Sequence, residues 1–298
     1  MKVFSHNKTM KNQKKAFMFI LPSFAILTLF VFIPLFGAFA VSLMNIDIFM
    51  QDVSFAGLKN YIRILEDERV GNATYNTFRF ALIEVPLQIG LAILILMFML
   101  KNTKVHKLLR TVFYIPYVCS MTAISIMWSM LLNTNYGMLP YILSKLGITM
   151  PNLLADTRYA MPTVILVTVW KGFGYTLTLL SAAALGVSES LYEAAELDGA
   201  SSIQKFFHVT IPEIKGTIGF CSVTTLIQAL QVFDQIYVMT DGGPLYSTET
   251  LVGYIYNKGF QTAPFDLGYS SAIAIYLFVM IAALTFVLRK YAFGGEED

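Results

Sequence analysis

The sequence predicts an all-α polytopic membrane protein of six transmembrane helices with both termini in the cytoplasm. Three observations carry this. First, 56% of the 298 residues are apolar and only 13% are charged, against about a quarter charged in ordinary soluble domains. Second, the charged residues cluster, leaving six apolar runs long enough to cross a bilayer, which takes roughly 20 residues. Third, Lys and Arg are distributed unevenly between the two sets of connecting segments.

The spans fall at about Phe17 to Met44, Asn76 to Leu100, Thr111 to Leu132, Met161 to Val187, Gly216 to Met239 and Leu267 to Leu288. Pro22, Pro34, Pro86 and Pro116 lie inside them, which membrane helices tolerate. One side of the membrane holds Lys2, Lys8, Lys11, Lys14, Lys15, Lys101, Lys104, Lys107, Arg110, Lys205, Lys215, Arg289 and Lys290. The other holds Lys59, Arg63, Arg69, Lys145, Arg158 and Lys258. The richer side is cytoplasmic by the positive-inside rule. Lys14-Lys15, the first apolar run and Ala38-Phe39-Ala40 imitate a cleavable signal peptide, but the run exceeds the usual apolar core of such a peptide, about 7–15 residues, so an uncleaved first span is expected.

The chain therefore reads as a cytoplasmic tail, 1–15, a membrane domain, 16–290, with its core from about 76 to 290, and a second tail, 291–298. A net charge of +2 gives no footing for nucleic-acid binding. Cys119 and Cys221 both lie in apolar runs, which speaks against a disulfide framework or a metal site. His6, His106 and His208 are scattered. No G-x-x-x-x-G-K-[ST] occurs, so no P-loop is present to cradle ATP phosphates. No nucleophile–base pair emerges either, and no enzyme is expected.

The segment between spans four and five, 188–215, reads SESLYEAAELDGASSIQKFFHVTIPEIK. Ser190 to Asp198 favours helix, with Ser188 or Ser190 as N-cap and Glu189, Glu193 and Glu196 toward the positive end of its dipole. Gly199 stops it. A second short helix can start at Ser201 or Ser202, with Ile203, Phe206 and Phe207 on one apolar face. Such a helix–Gly–helix can dock into a partner's groove or pack on its own membrane domain.

Glu193-Ala194-Ala195, Gly199 and Val209-Thr210-Ile211-Pro212 match the E-A-A-x3-G-x9-I-x-L-P loop of bacterial ABC import permeases, with Val and Ile at the two aliphatic positions. Phe55 to Tyr61, Phe233 to Tyr237, Thr240 to Pro244 and Thr248 to Phe260 resemble the maltose-type, first-permease branch of sugar importers. The resemblance implies the MetI-like fold of type I importers and transport of a sugar or oligosaccharide. It also implies a second, homologous permease, two ATP-binding subunits that hold the ATP and Mg, and an external sugar-binding protein. The coupling residues would be Glu193, Ala194, Ala195, Asp198, Gly199, Ser202, Phe206, Phe207 and Pro212. An ABC permease for another solute, and an ion-coupled transporter relaying charge through Glu84, Lys171 and Asp234, are the alternatives.

Spans four and five also carry unusual polarity. Thr168, Lys171, Gly172 and Tyr175 share one helical face; Thr225, Gln228, Ala229 and Val232 share another, with Gln231 and Asp234 nearby. At ~1.5 Å per residue both stripes sit roughly 10–20 Å below the outer surface and could line one cavity. Lys171 must face the bundle interior or water, or form a buried pair with Asp234. By resemblance, the sugar-contacting positions of the maltose-type permease fall on Met121, Thr168, Gly172, Tyr175, Thr225, Ala229 and Val232. Met121, Ala229 and Val232 lack the polarity of the maltose case, for which Gln228, Gln231 and Lys171 could compensate. Tyr175 suits either stacking on a sugar ring or packing. Glu84, two residues before Pro86, suits a proton relay, a structural hydrogen bond at the proline, or a place near the outer surface. Trp128 and Trp170 read as packing or interfacial residues.

Overall fold

The computed structural model describes residues 18–50, 53–100 and 103–293. The amino-terminal tail, Lys101 and residues 294–298 of the carboxy-terminal tail lie outside them. The chain forms two compact units, one of residues 1–64 and 257–276, the other of 65–256 and 277–298.

In the first unit, α1 (Met18–Ser42) is apolar on every side, and none of its most apolar window is buried by the chain itself. A helix of that kind belongs in hydrocarbon. Its ladder widens over Thr28–Phe32, where Ile33 N–H reaches back to Thr28 O. The cause is Pro34, which has no N–H and whose ring pushes on the preceding turn. The strands β1 (Met44–Asn45) and β2 (Ser54–Phe55) pair antiparallel, Met44 opposite Phe55. They lead into α2 (Lys59–Glu66) through Gly57, whose φ of +58° is adopted at least cost by a residue without Cβ. Buried Asn60 donates to the carbonyls of Ser42 and Met44, both at 3.0 Å, and Ala56 and Gly57 N–H donate to Leu43 O. These bonds satisfy the carbonyls that a helix end leaves orphaned. Arg63 pairs with Asp266 at 2.6 Å and lies over the Tyr269 ring.

The second unit is built around α7 (Ala160–Leu185). It packs against α3 (Glu68–Phe98) and α4 (Lys104–Val118), and α3 packs in turn against α11 (Lys215–Leu230). Between them run α5 (Met121–Leu132), α6 (Met138–Lys145), α8 (Glu189–Leu197), α9 (Ser202–Lys205) and α10 (Ile211–Glu213). After α11 come α12 (Asp234–Met239), α13 (Leu251–Tyr256) and α14 (Leu267–Phe293), the last shared by both units. Two apolar clusters form the core. One gathers Phe80, Met161, Ile165, Leu230 and Ile236. The other gathers Leu96, Phe173, Leu177, Leu180, Phe206 and Ile214.

Among the described residues four helices are long and apolar enough to cross a bilayer alone: α1, α3, α7 and α14. The expected third and fifth spans are not single helices. The third is α4 and α5, bent by 94° at Cys119–Ser120, where both residues are extended. Pro116 weakens the turn just before the bend. The fifth stops at Leu230, after 16 residues, roughly 24 Å of helix where a bilayer needs ~30 Å. It resumes as α12 only after Gln231–Phe233. The break is stabilised from outside the helix, because Thr250 Oγ1 donates to the freed Val232 carbonyl at 3.0 Å. The helix of the second span also starts earlier than expected, at Glu68, capped by the Asp67 side chain.

Candidate functional site

A cavity of about 600 Å³ opens where α11 breaks. Of the residues expected at a solute site, Met121, Thr168, Lys171, Gly172, Gln228, Ala229 and Val232 line it, together with Gln231 and Asp234. Tyr175 and Thr225 do not. Tyr175 stacks on Tyr117 with ring centroids 4.5 Å apart, so one face of its ring is taken by protein. Thr225 is buried and accepts from Gln88 Nε2 at 3.3 Å.

Lys171 and Asp234 form no ion pair; Lys171 Nζ donates to the Tyr117 carbonyl at 3.0 Å. The bend at Cys119 explains this, since the last turn of α4 brings a main-chain oxygen to the ammonium. Gly172 allows α3 to approach, for a Cβ there would collide with the Gln88 amide. That amide donates to Thr176 at 3.1 Å as well as to Thr225, and Gln235 Nε2 donates to Thr168 at 3.3 Å. Trp128 and Trp170 pack edge to face. The described residues hold no His, Cys, Asp and Glu cluster suited to a metal.

Six lining residues were not expected at the cavity: Phe80, Glu84, Gln88, Tyr117, Phe233 and Gln235. Gln88 is the only glutamine in the second apolar run, a signal that could have found it. Phe233 and Tyr117 carry no such mark, since aromatic residues abound in every span.

The 188–215 segment forms a second site. α8 ends in a Schellman motif: Ala200 N–H donates to Ala195 O and Gly199 N–H to Glu196 O. Gly199 takes φ +77° there. Ser201, Ser202 and Gln204 start α9 through a capping box, with Ser201 N–H donating to Gln204 Oε1 at 2.8 Å. Lys205 pairs with Glu196 at 2.9 Å, and the Tyr192 and Thr210 hydroxyls bond at 2.9 Å. The first contact joins α8 to α9, and the second joins α8 to the turn that follows.

One expectation is corrected here. Ile203, Phe206 and Phe207 do not form a common outward face. Pro212 forces a wide turn over Phe206–Thr210, with Ile211 N–H donating to Phe206 O. Phe206 is thereby turned inward, 1% exposed, while Ile203 and Phe207 stay exposed. A shallow cleft lined by Asp198, Gly199, Gln204, Lys205 and His208 lies beside them.

A third arrangement ties α3 to the segment after the break. Arg69 Nε and Nη2 bond Glu249 Oε2 and Oε1 at 2.8 and 2.7 Å. Asn76 donates to the carbonyls of Tyr246 and Glu249, and Tyr254 donates to Asp67 at 2.7 Å. Burial, then that hydrogen bond, hold the Tyr254 phenol above its ordinary pKa.

Residues 88–292 match the model of the binding-protein-dependent transport system inner membrane component. The chain belongs to that family. The permease is 35% identical to the probable ABC transporter permease protein YurN of Bacillus subtilis, over 97% of this chain and all of that one. It is 31% identical to the trehalose/maltose transport system permease protein MalF of Thermococcus litoralis, over 94% of each. The fold matches the crystal structure of a bacterial ABC transporter involved in import of the acidic polysaccharide alginate, with a TM-score of 0.80, 23% identity and coverage of 96% of this chain and 97% of that one. The permease is thus a multi-pass membrane subunit of an ABC importer, a transport protein and not an enzyme.

Proposed function

We propose that this permease carries a sugar or oligosaccharide, handed over by an external binding protein, through the cavity at the α11 break. It works beside a second, homologous permease, and two ATP-binding subunits supply ATP and Mg. The observation that carries the reading is the broken helix itself. Irregular backbone at membrane depth is tolerated only where it is buried in protein or lines a cavity, and secondary transporters place their solute sites at such helix breaks. This break is flanked by Gln228, Gln231, Thr168 and Lys171, donors and acceptors of the kind that hydroxyl-rich solutes need. The relative named for trehalose/maltose transport supports the solute class.

In this reading α8, Gly199 and α9 form the lever on which an ATP-binding subunit acts from the cytoplasm. Glu193, Ala194, Ala195, Asp198, Ser202 and Pro212 fix its geometry; Ile203 and Phe207 are its outward contacts. Phe206 anchors it to Leu177, Leu180 and Ile214 of the membrane core, so motion of the lever reaches α7 and α11 directly. Packed elements of this sort switch between discrete arrangements.

The test is purification from native membranes in mild detergent, followed by reconstitution with the proteins that accompany the chain. A nucleotide-binding pair and a second permease should co-purify, and labelled sugar should accumulate only with ATP. Uptake driven by an ion gradient without ATP would favour a charge relay through Glu84, Lys171 and Asp234. ATP-driven uptake of a solute without hydroxyl groups would overturn the sugar assignment alone.

A further inference from the structure

Glu84 takes part in none of the contacts described above, yet it is 3% exposed and lines the cavity. Its Oε2 is buried without a hydrogen-bond partner. Pro86 does not account for it. That proline frees the Leu82 carbonyl four residues earlier, and Glu84 makes no bond to it among the described residues. Lys171, the one basic residue on the wall, is directed to the Tyr117 carbonyl instead. One helical turn along α3, Gln88 presents the contrast: its amide is used twice, on Thr176 and Thr225. Most buried polar side-chain atoms in folded proteins have partners; here an unpartnered carboxyl oxygen belongs to a side chain that also lines the cavity.

The charge on the wall narrows the choice. Its ionisable acidic and basic groups are Glu84, Asp234 and Lys171. With Glu84 protonated their sum is zero, and with Glu84 ionised it is one negative charge. In neither state does the wall offer net positive charge to an anion, and an anion entering a low-dielectric site without compensation meets a steep penalty.

We propose that Glu84 is a solute-contacting, specificity-determining residue, and that with Asp234 it restricts this cavity to hydroxyl-rich solutes that are not anionic. The inference rests on the cavity being the solute path. A neutral sugar hydroxyl can bond the carboxyl that lines the wall in either protonation state, and an amino sugar offers it a charged partner. Uronates and sugar phosphates carry hydroxyls too, but add a negative charge that this wall does not compensate.

The experiment is saturation-transfer NMR on the complete transporter in nanodiscs, without the external binding protein, so that only the membrane site selects. The probes are maltose, raffinose, glucosamine and digalacturonate. Wild type should bind maltose or raffinose, and glucosamine, with digalacturonate at least tenfold weaker. E84A should weaken binding of the non-acidic probes at least tenfold. E84Q is isosteric and carries the test should E84A fail to assemble; it should abolish any advantage of glucosamine over maltose. Unchanged binding in E84A and E84Q, with weakened binding in Q228A, would overturn the role of Glu84 and leave the cavity standing. Unchanged binding in all three would overturn the cavity as well. Digalacturonate bound as tightly as maltose, or no non-acidic probe bound at all, would overturn the charge selection.

Discussion

At the scale of single residues, glycines show how space and backbone conformation impose different demands. A Cβ at Gly199 would meet nothing within 4 Å, so its requirement comes from φ +77° alone. Left-handed backbone costs an L-residue roughly 1–2 kcal/mol, and asparagine least. Gly199→Val should therefore cut ATP-driven uptake at least tenfold while the amount of protein in the membrane stays level, and Gly199→Asn should retain most uptake. Paired uptake and immunoblot measurements check both. Gly174 is the opposite case. A Cβ there would strike the Phe113 carbonyl, main chain that cannot swing aside. Gly174→Ala should lose about 1–3 kcal/mol of stability by overpacking, read as a lower unfolding temperature in detergent. Gly90→Ala, on α3 with open space beside it, should show no such fall.

Among elements, the clamp between α3 and the segment after the break makes an asymmetric prediction. The Glu249 side chain is 6% exposed and that of Arg69 is 29% exposed. Arg69→Ala leaves a buried carboxylate unpaired, which costs about 3 kcal/mol. Glu249→Ala leaves a guanidinium that water still reaches and should cost less. Limited proteolysis between residues 240 and 266, together with unfolding temperature, should rank the two variants in that order; equal effects would mean that the pair is not what holds the segment. The two prolines that open wide turns, Pro34 and Pro212, act at this scale too. In each case the turn ends two residues before the proline, and at Pro212 the widened turn decides which phenylalanine faces out.

For the whole molecule, the cavity is a property of six helices, α3, α4, α5, α7, α11 and α12, meeting at two breaks, and its charges act separately. Because Lys171 bonds a main-chain oxygen and not Asp234, the effects of Lys171→Met and Asp234→Asn on uptake should add in the double variant. A coupling above about 0.5 kcal/mol would instead mean that they pair. The family match, from residue 88 to 292, covers the 188–215 segment and the cavity helices except residues 68–87 of α3, which carry Phe80 and Glu84.

The sequence by itself determined the membrane class, the position of the long spans, the helix–Gly–helix and the family, because each is written in local composition or fixed spacing. Gly199 and the Ser201 cap were legible for the same reason: their conformations are set by neighbours within five residues. Only the tertiary structure decided where spans three and five break, because a helix interruption in a membrane persists only when a distant group, here the Thr250 hydroxyl on the Val232 carbonyl, satisfies what it frees. It also decided that Tyr175 stacks on Tyr117, that Phe206 packs with Leu177 and Leu180, and that Glu84 shares a cavity wall with Lys171 and Asp234. These are contacts between residues tens to hundreds of positions apart, and no periodicity in a chain records which of its apolar helices will touch.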